Sequence, residues 1–465
     1  MEFNKSLKRS LMSHTQRMND KKLRWIWIGN VEVEEYWKDE ETLSLPGDKI
    51  NTSRYLVNRM GEMSLFLADS DDIVCLKDNV DQDYLNYVKK FRGDLPHIYV
   101  CQSSDENKNV TQSLLEEVEL FSKILDKDYQ YMILPYGSSK FEEELAEKIG
   151  AKLASPLVSV CKKVNSKTYS RNLSGQVGIR QVEGATVDTL KELEDQFHQL
   201  KYLLDEGPLV LKDALGVSGK GMVLIDSEKK FNGIFKMLQR SSKKKGHDQT
   251  QFILETWMGK KKDLNYQILI DENGNSKLVS IKEAIVQNGV HSGHLQPVSL
   301  NNKQREDLEV AVEKIGKKLF QDGFFGIAGV DGFIGNDDHL YPCLEINARF
   351  NMATYQNRIL EQWVESNATI MACPININVT EHINFSSVKQ ALHDYLYFPS
   401  SESGVIVHSF STLQKAWNGS SRNGRLYTVL VGKNKEECIL LSQKVEEVLS
   451  QLFKGIEEEY FQTLK

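Results

Sequence analysis

Two carboxylates in the second half of the sequence are spaced so that a hairpin would bring them together. Residues 330–334 and 340–346 alternate in side-chain character as strands do, and residues 335–338 supply Gly, Asn and Asp for a turn between them. This hairpin would be centred close to position 338. Asp331 is therefore expected to lie near Glu345 across the two strands.

The second strand of this hairpin carries polar groups that could bind a metal ion. Alternate side chains of a strand point to one face, so Glu345, Asn347 and Arg349 are expected on the same side. Together with Asp331 they offer a hard, oxygen-only ligand set that suits Mg²⁺ on nucleotide phosphates. Arg349 could neutralise charge on a phosphorylated intermediate. The alternative, a solvated hairpin, leaves the polar residues of an otherwise apolar strand unexplained.

A glycine-rich segment could contact a polyphosphate. The apolar run 209–213 carries Lys212, leads into a loop and is followed by a second apolar strand. The loop contains Gly216, Ser218, Gly219 and Gly221. Glycines let backbone N–H groups approach phosphates, and Lys220 adds a mobile positive charge. A strand rather than a helix follows, so a β-hairpin flap is favoured over a Walker P-loop. An ordinary Gly-rich hairpin remains the alternative.

Two weaker patterns complete the candidate chemistry. An apolar strand at 251–254 ends in Glu255 and a connector containing Trp257 and Met258. Backbone groups of such a connector could bind an adenine edge between apolar side chains; a plain strand end with a buried Trp is the alternative. His291 and His294 could lie near an acceptor site, but surface loop histidines are favoured over a zinc pair because no third ligand is nearby.

Strands and helices alternate along the chain in a way that would position these groups. The patterns predict strands at 24–30, 97–102, 131–135, 404–410 and 425–431, and helices at 111–125, from about 164, and at 436–452. The alternation indicates an open, largely parallel α/β sheet in the first third, with ligands expected after its strands. The basic run 241–247 is expected to be a solvated loop, and 374–381 a connection to a third unit.

Composition limits the class of protein. The 465 residues carry 58 Lys+Arg against 65 Asp+Glu, a formal net charge of −7, which argues against bulk nucleic-acid binding. No apolar run is long enough to span a membrane, and the N-terminus lacks a signal-peptide pattern. Six widely spaced cysteines without a CxxC pair are typical of buried thiols in a reducing compartment. We therefore expect a soluble, cytoplasmic, multidomain protein.

Taken in chain order, these motifs resemble the ATP-grasp superfamily of carboxylate-amine ligases. The elements are Lys167 before a helix, Lys212 on a strand, the glycine-rich loop, the Glu255 connector and the Glu345-x-Asn347-x-Arg349 strand. The flanks are similar to those of pheganomycin-type peptide ligases. The resemblance implies a Rossmann-like pre-ATP-grasp α/β domain at 1–155, an ATP-grasp domain at 156–380 and a small C-terminal α/β domain at 381–465.

The resemblance also implies roles for individual residues. Lys167 and Lys212 would contact the phosphates and adenine of ATP. Residues 218–221 would cover the phosphates, and residues 255–258 would hold the base. The implied Mg²⁺ ligands, with Mn²⁺ as a substitute, are Asp331, Glu345 and Asn347. Arg349 would face an acyl-phosphate. The Gly332 that follows Asp331, and the Trp in the connector, depart from the family pattern without removing a ligand.

The function implied is ATP- and Mg²⁺-dependent amide bond formation through an acyl-phosphate, with release of ADP and phosphate. A small-molecule carboxylate and an amine, such as an amino acid or a peptide, would be the substrates, and a homodimer is expected. One alternative keeps the activation step and transfers the acyl group to a carrier-protein thiol. A second is a non-catalytic nucleotide-binding regulatory protein, which would have no need of Arg349.

Overall fold

The computed structural model describes residues 3–12, 22–37, 42–45, 54–215, 221–287, 290–417, 419–420 and 422–452. These residues form three β-sheets, of five, four and eight strands, with helices packed against them. The mixed α/β and α+β fold class predicted above is therefore confirmed. In the described part of the chain, every helix is too short or too polar to cross a membrane.

The first sheet is parallel and belongs to the N-terminal third. Its strands are β1 Lys22–Ile28, β2 Ile73–Leu76, β3 His97–Val100, β4 Tyr129–Pro135 and β5 Lys152–Leu153. All three strands predicted in this region are present. The spatial order β3-β2-β1-β4-β5 reverses the winding of the chain beside β1. In open α/β sheets ligands bind at the carboxyl ends of the strands at such a reversal, so the loops after β1 and β4 flank a natural ligand crevice.

The helices of this region are α1 Phe3–Met12, α2 Arg54–Val57, α3 Ser64–Leu67, α4 Gln82–Arg92, α5 Val110–Glu116, α6 Val118–Lys123 and α7 Lys140–Ile149, with 3₁₀ turns at Val33–Tyr36 and Met60–Met63. The helix predicted at 111–125 is present as two consecutive helices, because the backbone leaves the helical conformation at Glu117. The Glu117 carboxylate accepts a hydrogen bond from the Gln102 backbone N–H (3.0 Å), a tertiary contact that the periodicity does not reveal.

The second sheet is antiparallel and is preceded by α8 Val158–Val164 and α9 Lys167–Val177. Its strands are β6 Gly184–Thr189, β7 Leu209–Asp213, β8 Met222–Ile225 and β9 Gln249–Thr256, in the order β6-β9-β7-β8. A 3₁₀ turn lies at Lys201–Asp205, and α10 Leu190–Leu200 and α11 Glu228–Lys245 cover the sheet. Phe197 and Phe231 stack between these two helices with ring centroids 3.6 Å apart.

Helix α11 corrects the expectation of a solvated loop at 241–247, because it continues to Lys245. The Ser227 side chain caps its first turn, and Gly246 ends it in the left-handed conformation. The lysines at 243–245 lie in the last turn, where the helix dipole favours positive charge. A basic run that indicates a loop by composition is here the stabilised end of a helix.

The third sheet has eight antiparallel strands in the order β14-β13-β10-β11-β12-β15-β17-β16. The strands are β10 Lys260–Ile270, β11 Ser276–Gln287, β12 Val290–Gln296, β13 Gly326–Gly335, β14 Leu340–Asn347, β15 Thr369–Val379, β16 Gly404–Ser409 and β17 Arg422–Gly432. The accompanying helices are α12 Asn302–Gln321, α13 Met352–Trp363, α14 Phe385–Ala391, α15 Ser411–Gln414 and α16 Lys435–Leu452, with a 3₁₀ turn at His393–Tyr395. The predicted C-terminal strands and helix are confirmed.

Residues 374–381 are not the linker that the sequence suggested. Most of them belong to β15, which pairs with β12 on one side and β17 on the other. Side chains Ile375, Ile377 and Val379 of this strand are buried in the core, which explains why the segment is a strand despite Pro374. The division at 155 and 380 stays a prediction.

All six cysteines are buried and unpaired, as their spacing predicts. Burial raises the pKa of Cys161 and Cys343 to about 12, so neither thiol is activated as a nucleophile.

Candidate active site

The predicted carboxylate pair is present on the β13–β14 hairpin. Asp331 and Glu345 are direct partners in the antiparallel register, as the sequence predicts. Burial raises the pKa of both carboxyl groups; hydrogen bonding from Asn265 opposes the shift at Asp331, and the charge of Lys167 opposes it at Glu345. Two neighbouring carboxylates with raised pKa values form a place where a cation would be stabilised.

Asn347 and Arg349 extend this polar face. The Asn347 amide nitrogen donates to Asp331 Oδ2 (2.9 Å), and its Oδ1 accepts from Arg349 Nη2 (2.9 Å). The same-side placement of Glu345, Asn347 and Arg349 predicted from strand geometry agrees with these contacts. The amide oxygen of Asn347 accepts one hydrogen bond from Arg349, and its second lone pair could serve a metal ion without a change of rotamer.

Lys167 links the hairpin to the second sheet. It is the first residue of α9, whose N-terminus is capped by the Ser166 side chain. Its Nζ lies 2.5 Å from Glu345 Oε1, while its backbone N–H donates to the Ala214 carbonyl at the end of β7 (2.9 Å). The residue therefore lies at the junction where the expected nucleotide cleft would open.

Glu255 of strand β9 forms ion pairs with two cationic side chains. Lys212 Nζ contacts its Oε1, and Arg171 Nη1 donates to its Oε2 (2.7 Å). Burial lowers the pKa of Arg171, and the Glu255 charge partly offsets this shift. Arg171 was missed from sequence although its position was readable: it follows Lys167 by one helical turn and therefore shares its face of α9.

The connector after Glu255 has an exposed indole. The Trp257 side chain is 40% exposed, and Lys260 Nζ lies 5.9 Å from its ring centroid. Its backbone N–H is already bonded to the Pro208 carbonyl (2.9 Å), and Met258 packs beside Phe333 and Tyr341. Contact of this connector with a base stays a prediction, with an apolar surface available for it.

The glycine-rich segment joins two paired strands, as expected. Lys212 of β7 pairs with Met222 of β8, which confirms the hairpin. Gly221 has a φ of 74°, and a Cβ there would crowd the Asp213 carboxylate, so glycine is required for this turn. The positions predicted to cover the phosphates, Ser218, Gly219 and Lys220, lie outside the described residues.

The hairpin residues fit a bound divalent cation in their chemistry. Asn265 on β10 donates to Asp331 Oδ1 (2.6 Å), whereas its own Oδ1 is buried and accepts no hydrogen bond in the described part of the chain. Beside two carboxylates, such an orphaned oxygen suits a hydrated hard cation. Among the described residues, no group of three or more His, Cys, Asp and Glu side chains could hold a metal ion alone. Phosphate and water would complete the shell.

Arg349 connects the hairpin to the N-terminal crevice. Its Nε donates to Glu34 Oε1 (2.7 Å), with a further bond from Nη2, and its Nη1 donates to the Tyr136 hydroxyl (3.0 Å). Burial lowers the pKa of Arg349, but the opposing interactions with Glu34, Tyr136 and Glu345 together exceed this effect, so the pKa is raised. No local motif marks Glu34 or Tyr136, so sequence reasoning missed both.

The histidine expectation is wrong for His294. It lies in β12 rather than in a loop, pairs with Ala284 and Ala372, and is buried. The residue is held inside the sheet because β12 is flanked by strands on both sides. His291 is the second residue of the same strand.

Comparisons with known proteins agree with this geometry. A family profile described as "Carbamoyl-phosphate synthase L chain, ATP binding domain" matches residues 166–355. The [Butirosin acyl-carrier protein]--L-glutamate ligase of Niallia circulans is 26% identical over 342 residues, covering 73% of this chain and 74% of the relative.

Solved structures share the fold across nearly the whole chain. A biotin carboxylase from Campylobacter jejuni, described as a β,γ-ATP complex, has a TM-score of 0.56 at 14% identity and covers 93% of this chain and 95% of its own. The dimeric biotin carboxylase domain of a Hydrogenobacter thermophilus 2-oxoglutarate carboxylase, with MgADP and bicarbonate, has a TM-score of 0.54 at 14% identity, covering 92% and 90%.

Over residues 166–355 the chain is similar to the ATP-binding domain of the carbamoyl-phosphate synthase L chain family, which is an ATP-grasp domain. This range contains Lys167, Lys212, Glu255, Asp331 and Glu345, so the family match and the site coincide.

Proposed function

We propose that the protein is an ATP- and Mg²⁺-dependent carboxylate ligase that forms an amide through an acyl-phosphate, releasing ADP and phosphate. The observation that carries this proposal is the pairing of Asp331 and Glu345 on one hairpin, with Lys167 and Arg349 within direct reach of the same face. This arrangement offers cation ligands next to two positive charges, Lys167 at Glu345 and Arg349 at Asn347.

In the proposed reaction, a carboxylate oxygen attacks the γ-phosphorus of ATP. The bond from the γ-phosphorus to the β-phosphate oxygen breaks, and ADP leaves. An amine then attacks the acyl carbon, the bond to the phosphate oxygen breaks, and the amine loses a proton. Because such transfers need little covalent chemistry from the protein, positioning and charge stabilisation would supply the rate.

Each group of the cleft has a proposed task. A bound Mg²⁺ would neutralise phosphate charge, and Mn²⁺ would substitute for it. Asp331 and Glu345 would hold that ion, with Asn347 as a third oxygen donor. Lys167 would move from Glu345 to phosphate once the ion is bound. On the other side, Lys212 would contact the nucleotide, and Arg349 would orient the carboxylate and the acyl-phosphate.

The remaining residue assignments belong to the same proposal. Ser218, Gly219, Lys220 and Gly221 would cover the phosphates, and residues 255–258 would hold the base. Exclusion of water matters because an acyl-phosphate hydrolyses, which would be the purpose of a flap over the cleft. We also place the enzyme in the cytoplasm and expect a homodimer, the state named for the Hydrogenobacter domain.

A second candidate transfers the acyl group to the thiol of a carrier protein. The relative named as an acyl-carrier-protein L-glutamate ligase, which aligns over 342 residues, favours this acceptor. The activation step and its residues would be the same, because only the nucleophile differs. Sulfur would attack the acyl carbon and form a thioester instead of an amide.

The test is to incubate the protein with ATP, Mg²⁺ and L-glutamate or pooled amino acids, with hydroxylamine, peptides or a carrier protein as acceptor. ADP, phosphate and product mass are then measured. Hydroxamate with ADP supports the acyl-phosphate that both candidates share. Amide with ADP supports the first candidate, and a mass gain on the carrier thiol supports the second. Release of AMP and pyrophosphate would contradict the acyl-phosphate route for both.

A further inference from the structure

Every hydrogen-bond donor of Arg349 is already occupied. A guanidinium has five N–H groups. Nε and one N–H of Nη2 go to Glu34 Oε1, and the other N–H of Nη2 goes to Asn347 Oδ1. The two N–H groups of Nη1 go to the Tyr136 hydroxyl (3.0 Å) and the Phe350 carbonyl (2.9 Å). An incoming anion can therefore bind Arg349 only by replacing one of these acceptors.

Glu34 is the acceptor that an anion would replace. Of the four residues bonded to Arg349, it is the one with a negative charge, and its carboxylate has the shape of a substrate carboxylate. Both bonds reach its Oε1, and within the described residues no hydrogen bond reaches its Oε2. The side chain keeps 21% of its surface exposed, compared with 10% for Arg349. The glutamate thus faces the open side of the pair.

Glu34 is placed by the crevice of the first sheet rather than by the nucleotide domain. It lies on the 3₁₀ turn Val33–Tyr36 after β1, and Tyr136 lies after β4 on the other side of the crevice. The chain enters this turn past Gly29, which packs on Gly61 so closely that a Cβ would collide with the neighbouring backbone. The fold therefore directs this carboxylate to Arg349 from a separate element.

Displacing Glu34 has a cost that depends on the substrate. A simple carboxylate that takes its place on Arg349 leaves the Glu34 carboxylate half-buried without a cation, which is unfavourable. A free α-amino acid carries an ammonium one carbon away from its carboxylate. It can insert into the pair, so that Arg349 binds its carboxylate and Glu34 binds its ammonium.

We propose that Glu34 is the specificity-determining residue that selects free α-amino acids as the carboxylate substrate, by exchanging Arg349 for the substrate ammonium. This inference rests on the proposed function and narrows its substrate class. It excludes N-acylated amino acids and simple carboxylic acids as efficient donors, because both lack the ammonium.

The test compares matched substrates in wild type and in Glu34→Gln. The probe pairs are L-glutamate with glutarate, L-alanine with propionate, and L-phenylalanine with 3-phenylpropionate, each with ATP, Mg²⁺ and hydroxylamine. For the best pair, wild type should prefer the amino acid. In Glu34→Gln this preference should fall roughly a hundredfold, mainly through KM for the amino acid, with KM for ATP unchanged. Glu34→Asp should restore part of the preference, which a purely structural role would not do.

The matched control is Glu35→Gln, which changes the next glutamate of the same turn. Glu35 pairs with Arg54 (3.1 Å) and does not bind Arg349, so the preference should remain. Equal ADP release from both members of each pair in wild type would overturn the inference and leave the proposed function standing. ADP release from no carboxylate at all would overturn the proposed function, and the inference with it.

Discussion

Two ion clusters, one on the second sheet and one on the β13–β14 hairpin, carry opposite net charge. On the second sheet, Lys212 and Arg171 surround one carboxylate, Glu255, which gives a formal charge of +1 from two cations and one anion. On the β13–β14 hairpin, one cation, Lys167, faces the carboxylates of Asp331 and Glu345, which gives −1.

The difference shows how a nearly neutral set of residues can offer one positively charged and one negatively charged surface. The cluster of excess positive charge would attract phosphate, and that of excess negative charge would attract the cation. Helix α9 supplies one cation to each, since Lys167 and Arg171 are one turn apart. The overall charge of −7 does not reveal this polarity, which arises from the placement of six side chains.

The largest effect is expected from the hairpin cluster. Glu345→Gln removes one of the two paired carboxylates and leaves Lys167 without its partner, so ADP release should fall roughly a thousandfold. Raising Mg²⁺ should recover part of the loss, because the weakened site still keeps Asp331. Steady-state ADP assays over a Mg²⁺ series would measure both effects.

Asp338→Asn is the control for that change. Asp338 belongs to the same hairpin but is 69% exposed and pairs with Lys261 at the surface, so the rate should not change. Full turnover by Glu345→Gln would show that Glu345 is not a metal ligand.

The positive cluster should respond through nucleotide affinity instead. Lys212→Met leaves Glu255 with Arg171 alone and cancels the positive excess, so KM for ATP should rise roughly thirtyfold with a smaller change in kcat. Lys230→Met should behave like wild type, because Lys230 is an exposed residue of α11 that pairs with Asp226. A lower kcat with an unchanged KM for ATP would mean that the positive cluster does not act through nucleotide affinity.

A buried lysine outside both clusters tests whether pairing with carboxylates matters. Lys282 is buried, and within the described ranges its Nζ donates only to the uncharged Gln356 (2.8 Å) and to the Ala353 carbonyl (3.0 Å). Burial lowers its pKa to about 7. The unfolded chain then binds one more proton than the folded protein between pH 7 and 10, so stability rises with pH in that window.

Lys282→Met should remove this contribution, which is about 1 kcal/mol per pH unit. Denaturant unfolding between pH 7.5 and 9 would compare its slope with that of wild type. Lys277→Met, an exposed lysine of the same strand, should keep the wild-type slope. An unchanged slope in Lys282→Met would mean that Lys282 has an ordinary pKa.

The smallest effect on activity is expected at the connector proposed to bind the adenine base. Trp257→Ala removes an exposed indole from the connector beside the positive cluster, and KM for ATP should rise about fivefold if the ring packs on the adenine. The response should be absent for GTP if a different base packs poorly there. Identical KM values for ATP in both proteins would remove the indole from the base site.

Local spacing in the sequence was sufficient to predict the hairpin pair. It was not sufficient to predict the residues of other elements that contact the polar face of the hairpin. The pairing of Asp331 with Glu345 follows from strand periodicity and turn position, both of which are local. Asn265 and Glu34 reach the same face from strand β10 and from the turn after β1. Only tertiary register brings them there, so no spacing rule applies. Arg171 is the exception, since its helical distance from Lys167 could have been used.

The errors have the same origin. The helix expected at 111–125 is interrupted at Glu117, whose side chain accepts a hydrogen bond from the Gln102 backbone N–H. The expected linker at 374–381 is a strand because β17 lies beside it. In both places a long-range partner outweighs the local preference.

The eight-stranded sheet has a consequence for how this enzyme can be divided or recombined. Strands β15 and β17 are joined over eleven residue pairs, from Thr369 with Gly432 to Val379 with Arg422. Cleavage after position 380 would leave β15 with a long unpaired and largely apolar edge, a template for association with other chains. A fusion or domain exchange that retains the chain up to position 380 must therefore also retain strands β16 and β17 if the product is to stay soluble.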